Sequence, residues 1–394
     1  MRILFVVPYF APAWAYGGPP RLTYDMARHL VRRGHDVHIL TTDALDGDHR
    51  VAQLTERMDG ISVRRVRNVS NFLAWRSGFL PLGLGAIFER ELKEADVVHL
   101  FDFRSYLNLI AISVLARSDV PFVLSALGEL PRATGLKRYI KTLYDQLFGY
   151  RMLRDAGAVI AQTEDEAGWY QRFRVPRSHI RLVPLGVDLD DMGAVAPKGA
   201  FREQLRIGSA ETMILFLGRL HQYKGIAVLI TAFARIAAER GDVRLVIAGR
   251  DEGFQAEAEQ LAAKLTPSGT VFFPGGIYGH DRFTAYRDAD IFAITSSHFE
   301  QTSLAALEAC ACGTPVVVTE QAPIPGLDQA GAGITVPYGV ESVTQALSRL
   351  VEAPDERALM GERAAQLVRD QFNWPRVIEQ LERVYDELLA HKVA

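Results

Sequence analysis

Residues 295–318 read TSSHFEQTSLAALEACACGTPVVV, and the order of residue types in this stretch decides the architecture. The apolar run Ile291–Ile294 ends just before it. A polar loop carrying Glu300 follows, and then a helix that starts near Thr302 or Ser303 with Glu308 on its second turn. Gly313 stops that helix, as a residue free to take left-handed backbone does, and Val316–Val318 begins another strand. Strand, loop, helix and strand in that order make one unit of a parallel α/β sheet. At its helix start, the N–H groups around Ser303 and Leu304 lack intrahelical partners. With the helix dipole they form a ready site for an anion.

The same pattern runs outward in both directions. Met213–Leu217, Leu245–Ala248 and Val271–Phe273 are short apolar runs separated by segments of helical period. Earlier in the chain, Ile3–Val7, Val37–Thr41, Val97–Leu100, Phe122–Leu124, Val159–Ala161 and Ile180–Val183 repeat it. Leu22, Met26, Ala27, Leu30 and Val31 form one helical stripe closed by Gly34. Continuous apolar strands alternating with helices imply parallel sheets covered on both faces. The stretch 186–208 is poor in large apolar residues and reads as the connection between two such sheets. The expectation is therefore two doubly wound α/β domains, 1–187 and 188–374, with a last helix over 375–394. Ligands of open α/β sheets bind beyond the carboxyl ends of the strands, here in a groove between the domains.

Two more loops lie at such ends. In ILFLGRLHQYKGIAVLI (214–230), Arg219 and Lys224 follow a strand and precede a helix. Guanidinium gives bidentate bonds to phosphate oxygens and ammonium adds a compact charge, so the pair suits a diphosphate. In PYFAPAWAYGGPP (8–20), Gly17 and Gly18 allow close backbone approach, and the prolines suit a first helical turn. The GxGxxG dinucleotide fingerprint is absent there, and GxxxxGK[ST] is absent throughout.

Composition narrows the classes. The chain has 394 residues, 48% hydrophobic and 23% charged, which suits two or three globular domains. A formal net charge of -3 argues against nucleic acid as the main partner. Its 2 cysteines, Cys310 and Cys312, are too close for an unstrained disulfide and too few for zinc. They read as small residues on a buried helix in a reducing compartment. No apolar stretch approaches the roughly 18–20 residues that span a bilayer, and Ile3–Val7 is too short for a secretory signal. A cytoplasmic protein is expected, peripheral at most to the inner face of the membrane. The segment LKRYIKTLYDQLFGYRMLR (136–154) mixes Lys137, Arg138, Lys141 and Arg151 with aromatics. It suits a solvated amphipathic face, or else an anionic membrane surface or a pyrophosphate lipid.

Taken together, GRLHQYKG, the pair Glu300 and Glu308, EACACGTPVV, the early Gly-Gly turn and FNW before the last helix resemble the family 4 retaining glycosyltransferases of the GT-B fold. The resemblance covers nearly the whole chain. It implies that Arg219 and Lys224 hold the diphosphate of a sugar nucleotide, UDP- or GDP-linked, with Ser303 and Leu304. Glu300 then meets the transferred sugar and Glu308 the ribose, with Arg219, Lys224 and Glu300 as the catalytic set. Gly17, Gly18, Gly249 and Tyr278 complete the donor site, the last two near the base. No metal and no further cofactor are expected, and the last helix should return to the first domain. The acceptor, a saccharide or a lipid-linked sugar, is expected near His99, Asp102, Leu127, Gly128 and Glu129. Leu127 stands where many members have a histidine, Gln301 to Leu304 replace a Gly-Phe-Gly-Leu type run, and Leu185 stands in PLGV for PNGV. Two other readings stay open: a sugar-nucleotide 2-epimerase and a non-catalytic nucleotide-sugar-binding relative.

Overall fold

The computed structural model describes residues 1–131, 137–189, 192 and 197–393. The chain forms two compact units, Met1–Gly186 with Trp374–Ala394, and Val187–Asn373.

The first unit holds β1 (Arg2–Val6), β2 (Asp36–Thr42), β3 (Thr55–Met58), β4 (Ile61–Val66), β5 (Val97–Phe101), β6 (Phe122–Ser125), β7 (Ala158–Ala161) and β8 (Ile180–Leu182). Their order across the sheet is β3-β4-β2-β1-β5-β6-β7-β8. All neighbours run parallel except β3 and β4. The second unit holds β9 (Thr212–Leu217), β10 (Val243–Ala248), β11 (Val271–Gly275), β12 (Ile291–Ile294), β13 (Val316–Thr319) and β14 (Gly333–Val336). Its order is β11-β10-β9-β12-β13-β14, parallel throughout.

Each sheet reverses its winding once, between β1 and β5 and between β9 and β12. At such a point the two flanking helices leave on opposite faces, so the loops beyond the strand ends part and make room for a ligand. The loops at these points are 7–17 and 102–105 in the first unit, and 218–225 and 295–303 in the second.

Three strands escape the apolar pattern. β3 is TERM, and β4 is ISVRRV with two arginines. Arg65 is nevertheless buried, because its guanidinium donates to the carbonyls of Ala11 at 2.6 Å and Gln53 at 3.1 Å and pairs with Glu56. β14 is only GITV.

The stretch 186–208 is more than a connection. Helix Ala200–Leu205 within it belongs to the second unit. The Asp288 carboxylate accepts the N–H groups of Gly199 at 2.6 Å and Phe201 at 2.8 Å, which caps that helix. Residues 190–191 and 193–196 of the stretch lie outside the described residues.

The last helix, Trp374–Val393, packs on the first unit. The Trp374 side chain is buried, stacks on His29 at 5.6 Å and presses on the backbone of Gly186, where an added Cβ would sit 2.3 Å from the indole. Cys310 is fully buried on helix Leu304–Ala311, and both thiols are free. No helix among the described residues is long and apolar enough to cross a membrane.

Candidate active site

The two loops at the second sheet's reversal are laced together. The Ser297 N–H donates to the Tyr223 carbonyl at 2.9 Å, and the Thr295 hydroxyl donates to the Gly225 carbonyl at 3.0 Å. Gly225 has φ +66°, and a Cβ there would lie 1.7 Å from the Thr295 carbonyl oxygen. Only glycine allows that approach. Its neighbour Lys224 is thereby directed at the second loop, where its ammonium donates to Glu300 Oε2 at 2.6 Å. The other carboxylate oxygen, Oε1, accepts the Ser296 hydroxyl at 2.6 Å, and the Glu300 N–H donates to the Gln321 carbonyl at 2.7 Å. Glu300 is thus fixed at backbone and side chain.

Next to it, Gln301 and Thr302 bury side-chain atoms, Nε2 and Oγ1, that have no partner among the described residues. Ser303 caps helix Leu304–Ala311 by accepting the Ala306 N–H at 3.3 Å, so Leu304 opens the helix beside Thr302. The helix's free N–H end and the Lys224–Glu300 pair therefore belong to one loop cluster.

The other donor-side residues are placed as follows. Arg219 turns to the loop after β10, where its guanidinium donates to Glu252 at 2.7 Å; it shares no partner with Lys224. Gly249 sits against Gly218, whose carbonyl oxygen would lie 1.6 Å from a Cβ. This holds the loops after β9 and β10 together. Tyr278 is largely exposed, beyond β11. Glu308 is buried and held by Arg282, whose Nε lies 3.1 Å from both carboxylate oxygens. Sequence reasoning missed Ser296, Glu252 and Arg282. Ser296 stands four residues before Glu300 in a polar run, which is a weak signal; Arg282 and Glu252 carry none, because their partners come from distant segments.

In the first unit, Gly17 (φ +94°) precedes helix Gly18–Arg32, whose first turn holds Pro19 and Pro20. Across the reversal, Asp102 takes left-handed backbone at φ +65° and is buried beside Tyr9 and Glu129. Burial pushes the Asp102 carboxyl well above the usual carboxylate range, and the Glu129 charge and the Tyr9 hydroxyl act on it in opposite directions. Burial likewise raises Tyr9, reinforced by Asp102 and Glu129. Glu129 Oε2 accepts the N–H groups of Phe103 and Arg104, both at 2.8 Å. Leu127 also has left-handed backbone, φ +49°, followed by Gly128 at φ +81°. The Gly128 N–H donates to Glu166 Oε1 at 3.1 Å, which pins the turn.

His99 corrects an expectation. It is fully buried, and its ring lies between the Tyr385 hydroxyl and the Ser125 hydroxyl, each at 2.7 Å. Burial lowers its pKa to about 3. A neutral imidazole with both nitrogens engaged, inside β5, has nothing left for an acceptor; it ties the last helix to the sheet.

Against this geometry, the model of the family described as Glycosyltransferase Family 4 matches residues 16–191, and that described as Glycosyl transferases group 1 matches 197–367. The chain belongs to glycosyltransferase family 4. Similar proteins include an uncharacterized glycosyltransferase of Methanocaldococcus jannaschii, 26% identical over 94% of this chain and 96% of that one. A D-inositol 3-phosphate glycosyltransferase of Segniliparus rotundus is 29% identical over 89% of this chain and 80% of its own. Among solved structures, sucrose-phosphate synthase of Thermosynechococcus elongatus superposes with a TM-score of 0.77 at 21% identity, covering 99% of both chains. HepE of Anabaena, in complex with UDP, gives 0.76 at 16% identity over 98% of this chain and 100% of that one. The fold is GT-B.

Proposed function

We propose that this member transfers a hexose-type sugar, with retention at the anomeric carbon and without a metal, from a nucleoside-diphosphate donor to a saccharide or lipid-linked acceptor. One observation carries the reading: Lys224, Glu300 and the Ser303 helix start meet at the point where the second sheet reverses. A cation and unpaired amides suit a diphosphate, and a fixed carboxylate suits the hydroxyls of the attached sugar. The unpartnered Gln301 amide and Thr302 hydroxyl support it further, since sugar hydroxyls would complete bonds the protein leaves open. HepE, a structural neighbour, is described in complex with UDP-glucose.

In this reading the bond between the anomeric carbon and the bridging phosphate oxygen breaks, and the acceptor oxygen bonds on the same face. The acceptor proton passes to the leaving phosphate. Charge develops on the bridging oxygen, and Lys224 and the amides at Ser303 and Leu304 stabilise it, joined by Arg219 when its guanidinium exchanges Glu252 for the phosphate. Glu308 orients the ribose while Arg282 holds its carboxylate in place. Gly249 and Tyr278 lie by the base. Asp102, Glu129 and the Leu127–Gly128 turn receive the acceptor.

A thermal-shift series with UDP, GDP, ADP and their sugars tests this, in the presence and absence of a chelator. One nucleotide should stabilise the protein selectively, by about 2.7 kcal/mol at a hundredfold excess over its dissociation constant. No shift with any of them, or a shift abolished by the chelator, overturns the reading. Donor incubated alone should yield no epimer.

A further inference from the structure

The helical run after β6 presents a surface that the reading above does not use. A wide π turn, Asp145–Gly149, joins helix Lys137–Tyr144 to helix Tyr150–Asp155. The inner side of this run is committed. The Arg104 guanidinium donates to both Asp145 carboxylate oxygens at 2.9 Å, an ion pair almost wholly out of solvent. The Tyr144 hydroxyl lies 3.2 Å from the Ser105 carbonyl, and a Cβ on Gly149 would come within 2.8 Å of the Phe103 ring. Met152 and Leu153 are buried. The outer side is therefore not a core face left unpacked by rotation of the helix.

That outer side is nonetheless apolar. Tyr139, Ile140, Leu143 and Leu147 are 70%, 68%, 57% and 58% exposed, at spacings that align them in one stripe. Where the stripe ends, the run borders a cavity of about 490 Å³ shared with the segment Phe173–Pro176. Arg151, Arg154 and Arg174 line it. Arg151 and Arg154 share a single carboxylate, Asp155, at 3.2 and 3.0 Å, and Arg174 has no partner among the described residues. Three cations against one acid leave the cavity mouth positive, and Arg138 adds an exposed cation along the stripe.

We propose that this face of the first domain lies on an anionic lipid surface. The stripe enters the boundary between headgroups and acyl chains, and the arginines of the cavity meet lipid phosphates. An apolar stripe flanked by cations is the arrangement such a surface attracts. A two-fold contact between copies would instead bring two cationic faces together. The proposal stands independently of the donor reading.

The test is co-sedimentation of the full chain with vesicles of phosphatidylcholine alone, or with about a third phosphatidylglycerol. Binding should require phosphatidylglycerol and weaken with salt. Leu143→Glu with Leu147→Glu should reduce partitioning at least about tenfold, and Arg174→Ala about fivefold. Thermal melts of these exposed-site variants should match the parent, which separates lost docking from lost folding. Equal partitioning to both vesicles, no partitioning to either, or variants that partition like the parent would overturn the proposal. So would a concentration-dependent dimer that the stripe variants abolish while vesicles stay unbound.

Discussion

The Lys224 ammonium and the Glu300 carboxylate stand 2.6 Å apart although 76 residues separate them in the chain. Both side chains are mostly but not wholly withdrawn from solvent, at 16% and 20% exposure. A pair that still reaches water contributes less to stability than a fully enclosed one, because water screens part of both charges. Its position at the reversal of the sheet gives it a different consequence. Lys224→Ala should lower turnover by roughly 10²–10³ through loss of an aimed cation. The melting temperature should hardly move. Measuring kcat beside a thermal melt checks this, and parallel losses in both would make Lys224 a structural residue.

Gly225 is where the backbone, not a side chain, sets the geometry. Gly225→Ala would place a methyl group 1.7 Å from the Thr295 carbonyl oxygen and hold alanine at φ +66°. The left-handed backbone alone costs about 1–2 kcal/mol, and the overlap forces the loops after β9 and β12 apart. Nucleotide affinity should fall with stability here, unlike in Lys224→Ala. Denaturant titration together with nucleotide binding by calorimetry decides it. Unchanged affinity would mean that the loop spacing is immaterial to the ligand.

The strands were legible where burial on both faces leaves no room for polar residues, as at Ile291–Ile294 and Val316–Val318. They were illegible where tertiary partners excuse polarity. β4 carries Arg65 inward because two carbonyls and Glu56 satisfy it, and no local pattern announces partners that distant. The same limit applies to the site. Lys224 and Glu300 stand out because each sits in a loop at the end of an apolar strand. Arg282 and Ser296 do not, since only the fold brings them to a carboxylate. His99 misled for a related reason. Sequence places it in a strand near a ligand-binding edge, but which face it uses is fixed by Tyr385, 286 residues further along the chain.

The Arg282–Glu308 pair is drier than Lys224–Glu300, with side-chain exposures of 14% and 9%. Removing one partner of such a pair leaves the other charge desolvated. Arg282→Ala should therefore destabilise the second domain by about 3 kcal/mol. Adding Glu308→Ala to it should recover part of that loss, because no stranded carboxylate remains. Urea denaturation of the two single variants and the double variant gives the coupling. Strictly additive effects would show that the contact carries no energy.

His99 gives the first domain a specific response to acid. In the folded chain its pKa falls to about 3, whereas the unfolded imidazole titrates near its usual 6.5. Below 6.5 the unfolded state takes up a proton that the folded state refuses. The stability tied to the neutral ring is thus complete above pH about 6.5 and declines as pH falls from there toward 3, at up to about 1.4 kcal/mol per pH unit. His99→Asn removes the titrating group, although it also loses some of the contact with Ser125 and Tyr385 and should be less stable at neutral pH. The stability gap between parent and variant should accordingly shrink by about 2 kcal/mol between pH 7 and pH 5. Urea unfolding of the first domain's transition at the two pH values measures it. A gap that stays constant would mean that His99 titrates alike in both states, which is incompatible with a ring enclosed between the sheet and the last helix.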